Sequence, residues 1–77
     1  MVTNSFRIPN AATLGAAIRH YRRRSGMTQA ELADRVGLDR TYLTRLERGA
    51  DTEQMRRIML LLRELGVEMT LHERDAS

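Results

Sequence analysis

Apolar positions recur with a helical period over most of the chain. A first helix is predicted from about Ala11 to Arg24, after Pro9 and an N-cap at Asn10, because its apolar residues fall three and four positions apart: Leu14, Ala17, Ile18 and Tyr21. A leucine-rich helix is predicted from an N-cap at Thr52 to about Leu65, with a core face of Met55, Ile58, Met59, Leu62 and Leu65. Because Leu60 and Leu61 are apolar beyond that face, we expect a second subunit to cover this helix.

The stretch from Thr28 to Gly49 predicts a helix, a tight turn and a second helix. Thr28 and Glu31 have the spacing of a capping box, and Gly37 suits the end of the first helix. Asp39 is an N-cap for the second helix. The predicted buried positions are Ala30, Leu32, Ala33 and Val36 in the first helix, Leu38 in the turn, and Leu43 and Leu46 in the second helix. The outer face then holds Arg40, Thr41, Thr44 and Arg45.

Residues 67–72 alternate apolar and polar side chains, which predicts a strand after Gly66. A lone strand leaves its backbone amides unpaired, so it pairs with the same strand of a second copy, pairs with the extended Phe6–Ile8 segment, or does not form. We favour the first alternative, a ribbon across a homodimer axis. The dimer interface would hold Leu61, Leu65, Val67, Met69 and Leu71. The chain divides into a flexible arm (1–9), a domain that holds the predicted helices (10–65), a dimerisation strand (66–72) and a polar tail (73–77).

The composition narrows the possible chemistry. Seventy-seven residues make one small domain, and the absence of cysteine excludes disulfides and thiolate metal sites. Neither a metal site nor a cofactor is expected, because His20 and His72 have no partner at ligand spacing. No nucleophile and base are brought together by spacing, so we expect a binding protein rather than an enzyme. Without a membrane-length apolar run or a signal-peptide pattern, the protein is expected to be cytoplasmic and to contact no membrane.

Charge is distributed unevenly along the chain. Residues 1–50 hold nine arginines and four acids, a balance of +5, and residues 51–77 hold four arginines and six acids, a balance of −2. The basic half contains the helix-turn-helix stretch, as binding to the DNA backbone requires. All thirteen basic residues are arginine, which favours planar, two-pronged contacts with phosphate and guanine. Double-stranded DNA is therefore the expected partner.

The stretch resembles the helix-turn-helix of the phage-repressor and Cro superfamily, the XRE-type regulators. The resemblance is carried by Thr28-Gln29, Glu31-Leu32-Ala33, Val36-Gly37 and Leu46-Glu47 before Gly49. It implies a mainly α, lambda-repressor-like DNA-binding domain of four to five helices over residues 10–65, extended here by the short C-terminal strand of the intersubunit ribbon. It also implies base reading by Arg40, Thr41, Thr44 and Arg45, and an ion pair between Arg22 and Glu47. DNA-backbone contacts are assigned to Thr28, Gln29, Tyr42, Arg48 and Arg23.

A narrower resemblance, to HipB-type antitoxins, comes from the leucine-rich fourth helix and the segment Leu65–Leu71, which ends in Met69-Thr70-Leu71. It implies a repressor that autoregulates a toxin–antitoxin operon, binds a HipA-like toxin kinase, and associates with the nucleoid when bound to DNA. This chain departs from the group because it ends soon after the strand. The alternative is a stand-alone XRE-type repressor or a restriction–modification controller protein without a toxin partner.

Overall fold

The fold is built from four helices and one two-stranded antiparallel sheet over residues 5–50 and 52–74, the part of the chain that the computed structural model describes. The elements in order are β1 (Ser5–Ile8), α1 (Ala11–Arg24), α2 (Gln29–Val36), α3 (Arg40–Glu47), α4 (Glu53–Leu65) and β2 (Met69–His72). The mainly α architecture with a C-terminal strand is confirmed. In these two ranges no helix has the length and apolar character needed to span a bilayer.

The ends of the helices follow the local chemistry of the sequence. Asn10, Thr28, Asp39 and Thr52 each accept a backbone N–H of the following first turn, which satisfies one of its unpaired donors. The capping box is complete, since the Glu31 carboxylate also accepts the Thr28 amide at 2.8 Å. Gly37 ends α2 with a φ of 72°, a left-handed conformation that glycine adopts without strain. The predicted helix limits are therefore confirmed.

The core lies where α1 crosses α3. A Cβ at Gly15 would lie 2.1 Å from the Leu46 carbonyl oxygen, so only glycine permits this close approach of the two backbones. Five apolar residues of the described chain are buried, and three of the five are alanines: Ile8, Ala11, Ala17, Ala33 and Leu43. With so little buried apolar area, the domain depends on specific close contacts more than on core volume.

The sheet differs from the favoured ribbon between two subunits. β2 pairs antiparallel with β1 of the same chain, with Phe6 opposite Leu71 and Ile8 opposite Met69. Ile8 is 2% exposed. The expected flexible arm is therefore wrong for residues 5–8, because the two strands satisfy each other's backbone and turn one apolar face toward α1. This is the pairing with the Phe6–Ile8 segment that the sequence left as an alternative. The polar tail beyond residue 74 lies outside the described residues.

Several apolar side chains that the periodicity assigns to the core are exposed. In the helix-turn-helix unit, Val36 is 58% exposed and Leu38 is 48% exposed, and Ala30 is also on the surface. No residue of α4 is buried, and Ile58 and Leu65 of its predicted core face are exposed. Periodicity identifies the apolar side of a helix but not whether the same chain covers it. The described part of the chain leaves one side of α4 uncovered.

Candidate nucleic-acid interface

The helix α3 presents a polar, basic side to solvent. Its start is fixed by Asp39, whose carboxylate accepts the Thr41 amide at 2.7 Å. Leu43 is buried against the body, which turns Arg40, Thr41 and Arg45 outward as exposed side chains. Thr44 lies beside them and is half-buried. The structure thus brings the four predicted base-reading positions onto one accessible side of one helix.

A buried ion pair fixes the end of α3 to α1. Arg22 Nε donates to Glu47 Oε2 at 2.7 Å, and Arg22 Nη2 donates to Glu47 Oε1 at 2.9 Å. Arg22 Nη1 donates to the Met27 carbonyl oxygen at 2.8 Å, so the same side chain also holds the loop before α2. The side chains of Arg22 and Glu47 are 9% and 3% exposed. The predicted Arg22–Glu47 pair is present as a two-pronged, nearly dry contact.

Gln29 connects this ion pair to Thr44, in the middle of α3. Its Nε2 donates to Glu47 Oε1 at 3.0 Å, and its Oε1 accepts the Thr44 hydroxyl at 2.9 Å. The Thr44 hydroxyl also lies 3.0 Å from the Arg40 carbonyl oxygen, one turn earlier. Since both ends of the Gln29 amide are engaged, contacts within the protein fix its position relative to α3. One Nε2 hydrogen remains for a further acceptor.

The ion pair shifts the titration of both partners. The two hydrogen bonds from Arg22 lower the pKa of Glu47, with the Gln29 bond and the charge of Arg19 acting in the same direction against the effect of burial. The Glu47 contact raises the pKa of Arg22. On the surface, the pKa of Glu31 is lowered because its carboxylate accepts the Thr28 amide. Glu47 therefore remains ionised at neutral pH although it is buried.

A basic cleft lies between the end of α1, the start of α2 and the end of α3. Its lining includes Arg19, Arg23, Gln29 and Arg48. Arg19 was missing from the sequence-based predictions, although it stands one helical turn before Arg23 and so shares its side of α1. The backbone amides of Gln29 and Ala30 at the α2 N-terminus make no hydrogen bond within the described residues. Such free donors and cations suit a phosphate group.

Ion pairing separates the arginines into two groups. Within the described residues no acid lies within salt-bridge distance of five exposed arginines on the helix-turn-helix side of the molecule: Arg19, Arg23, Arg40, Arg45 and Arg48. By contrast, four arginines each bridge a carboxylate: Arg7, Arg24, Arg56 and Arg57. Their partners are Glu68 and Glu73, on either side of β2, and Glu53 at the start of α4. Arg35, Arg63 and Arg74 likewise bridge no acid within residues 5–50 and 52–74, so five of the eight unpaired arginines lie on α3 or line the basic cleft.

The remaining predicted residues take different positions. Thr28 uses its hydroxyl within the capping box, which leaves the neighbouring Gln29 and Ala30 amides as the free donors at this end of α2 within the described residues. Tyr42 is half-exposed on α3. Of the predicted dimer residues, Leu61, Leu65 and Val67 are exposed, whereas Met69 and Leu71 are half-buried in the face of β2 that meets β1's apolar side chains. Among the described residues no group of histidine or acidic side chains could hold a metal ion.

Comparison with protein families places the chain in a known family. A family model described as a helix-turn-helix domain covers residues 13–76, which is most of the chain. The match includes α1 from Thr13 onward, the basic cleft, α3 and α4. No curated protein and no solved structure matches the chain significantly.

Proposed function

Because the chain belongs to the helix-turn-helix domain family and is by that membership a DNA-binding regulator, we propose that it is a sequence-specific transcriptional repressor of the XRE type. The observation that carries the proposal is the group of five arginines on α3 and in the basic cleft that bridge no acid within the described residues, whereas Arg7, Arg24, Arg56 and Arg57 each do. Exposed arginines of this kind stay hydrated, so displaying them costs the folded protein little free energy. When they contact DNA they release its counterions, and this release favours binding.

Base reading is assigned to α3. Its first turn enters the major groove in helix-turn-helix proteins, which places Arg40 and Thr41 nearest the base edges and Arg45 one turn later. Arginine pairs best with guanine O6 and N7, so each half-site should contain G·C pairs. Thr44 lies beside these residues and is held by Gln29. Thr41 or Tyr42 would meet a thymine methyl group.

Backbone contacts are assigned to the basic cleft and its rim. The free amides after Thr28 and the remaining Gln29 donor would bind one phosphate, with Arg23 and Arg48 on either side. Tyr42 would bind a phosphate through its hydroxyl if it does not meet a base. These contacts set the register of α3 in the groove and carry no sequence preference of their own.

The acting form is proposed to be a homodimer on an inverted-repeat operator. Two copies of α3 would enter successive major grooves with a separation of about 34–36 Å, one turn of B-DNA. The exposed Leu61, Leu65 and Val67 support a second subunit on this side of the domain. A domain this small also gains stability from association.

The biological role proposed first is that of a HipB-type antitoxin that represses its own operon and binds a HipA-like toxin kinase. Its support is the leucine-rich α4 followed by the strand Met69–His72. The alternative is a stand-alone XRE-type repressor or a restriction–modification controller without a toxin. The exposed side of α4 favours that alternative as well, because helices alone would suffice for its dimer.

Selection of bound duplexes from a randomised DNA library tests the DNA-binding proposal. We expect an enriched inverted repeat with G·C pairs in each half-site and affinity that falls steeply with salt. Enrichment of no common sequence would contradict sequence-specific recognition. A pull-down of the tagged protein from its host then separates the two roles: a kinase recovered at a one-to-one ratio supports the antitoxin, and recovery of only the protein and its DNA supports the stand-alone repressor.

A further inference from the structure

An apolar stripe on α4 is left uncovered by residues 5–50 and 52–74. Ile58, Leu61 and Leu65 are 36%, 62% and 71% exposed. They follow Gln54 at intervals of four, three and four residues, which places all four side chains on one side of a helix. The half-buried Met55, Met59 and Leu62 turn toward the body instead. The stripe therefore has the spacing of a two-helix seam.

From this stripe we propose that α4 pairs antiparallel with α4 of a second copy, with Ile58 facing Leu61 of the partner subunit and Gln54 facing Leu65 of the partner subunit. The inference rests on the homodimer of the proposed function and names its contact surface. A two-fold axis between the copies makes each of these contacts twice. The apolar stripe would then be buried by its own copy.

The charged side chains beside the stripe distinguish this register from the registers that are shifted by one heptad. Arg57 and Glu64 lie on the same flank of the stripe, seven residues or two helical turns apart. In the proposed register Arg57 lies beside Glu64 of the partner subunit, and Glu64 lies beside the partner subunit's Arg57. Sliding the partner by one heptad in either direction would bring Glu64 against its own copy or Arg57 against its own copy. The proposed register is thus the one that joins opposite charges.

Both charges are available for the contact. Glu64 forms no ion pair within residues 5–50 and 52–74, and Arg57 bridges only the exposed Glu53 on its own helix, with 71% of its side chain in solvent. A guanidinium has donors enough to keep Glu53 and to bind a second carboxylate. Self-complementary charge beside an uncovered apolar stripe is what an isologous contact requires.

Cysteine cross-linking tests the register directly, because the natural chain has no cysteine. Gln54→Cys and Leu65→Cys are purified separately, shown to be folded by circular dichroism, mixed without DNA and oxidised. Identical positions lie about 16 Å apart along the antiparallel axes, at about 1.5 Å of rise per residue, which is too far for a disulfide. We expect a disulfide-linked heterodimer from the mixture and none from either variant alone.

Leu60→Cys mixed with Leu65→Cys is the matched control, because Leu60 is exposed on a different side of the same helix. It should give no cross-link. Absence of the Gln54–Leu65 cross-link, or equal cross-linking by the control mixture, would overturn the proposed pairing. Specific binding of the wild-type chain to its selected DNA, measured separately, shows whether the proposed function stands if the pairing fails.

A charge exchange gives a second, independent test. Arg57→Glu alone brings two like-charged pairs together across the axis, and Glu64→Arg alone does the same with the opposite sign. Each should lower the dimer association constant by about tenfold or more. An equimolar mixture restores opposite charges at both contacts and should recover heterodimers in sedimentation or native mass spectrometry. A mixture no more dimeric than its components would contradict the register.

Discussion

Arg22 and Glu47 join α1 to the end of α3 through two buried hydrogen bonds of 2.7 and 2.9 Å. Gln29 extends this contact to Thr44 in the middle of α3. One charged pair therefore positions the first helix, the start of the second and the exposed side of the third. All of these hydrogen bonds lie within the protein, so the protein itself holds these groups in place and less ordering is left to oppose binding.

Removing the charge of Glu47 should destabilise the whole domain. Glu47→Gln leaves the buried Arg22 guanidinium without its counterion, and we expect the free energy of unfolding to fall by about 3 kcal/mol. Urea denaturation at fixed protein concentration measures the change. The matched control is Glu53→Gln, which removes an exposed carboxylate that bridges Arg56 and Arg57 and should cost less than about 1 kcal/mol. Equal losses in the two variants would contradict the central role of the buried pair.

Acid should weaken the folded state through the same carboxylate. The folded-state pKa of Glu47 is lowered, chiefly by its bonds from Arg22, so its stabilisation is complete above the unfolded pKa of about 4.3 and is lost as pH falls through the folded pKa. The free energy of unfolding should decline from about pH 5 downward. Wild type and Glu47→Gln should differ most near neutral pH and converge in acid. A difference that grows on acidification would contradict this assignment.

Sequence reasoning succeeded where the determining chemistry is local. The N-caps at Asn10, Thr28, Asp39 and Thr52 set the helix starts within their own first turns, so their spacing was sufficient. The Arg22–Glu47 pair is a long-range contact, and it was predicted from the family resemblance rather than from spacing. The partner of β2 was misjudged because alternation identifies a strand without naming what lies beside it.

The close approach of α1 and α3 should make Gly15 intolerant of any side chain. A Cβ there would overlap the Leu46 carbonyl oxygen, a backbone atom that cannot rotate away, so Gly15→Ala should lower the free energy of unfolding by about 2 kcal/mol or more despite the better helix propensity of alanine. Thermal denaturation checks the effect. Ala16→Ser, at the next and exposed position, should cost about 0.5 kcal/mol or less. A stabilised Gly15→Ala variant would show that the helices lie farther apart.

The strand β1 should contribute to stability through its inward side alone. Ile8→Ala removes a fully buried side chain and should cost about 3 kcal/mol. Arg7→Ala alters the opposite face of the same strand and removes only an exposed bridge to Glu68, so it should cost less than about 1 kcal/mol. Chemical denaturation of the two variants measures both values. Similar small effects would mean that residues 5–8 do not pack on the body in solution.

The sequence could not show which apolar side of α4 would remain uncovered. Ile58, Met59 and Leu62 all fit one helical face, yet Ile58 is exposed whereas Met59 and Leu62 are half-buried. That division depends on how α4 is oriented relative to the rest of the domain, which is a relationship between residues that are distant in the sequence. Arg19 was missed for the same reason, because its place in the basic cleft depends on the crossing of α1 with α3.

The most direct test of the account compares Arg45→Ala with Arg63→Ala on the selected duplex and on a scrambled one. Both substitutions remove one exposed arginine that has no acidic partner in the described residues, from α3 and from α4 respectively. Arg45→Ala should weaken binding to the selected duplex by about 1–3 kcal/mol and relax preference at one base position, with little change on the scrambled duplex. Arg63→Ala should leave specific binding nearly unchanged. Equal losses for both variants on both duplexes would contradict base reading by α3.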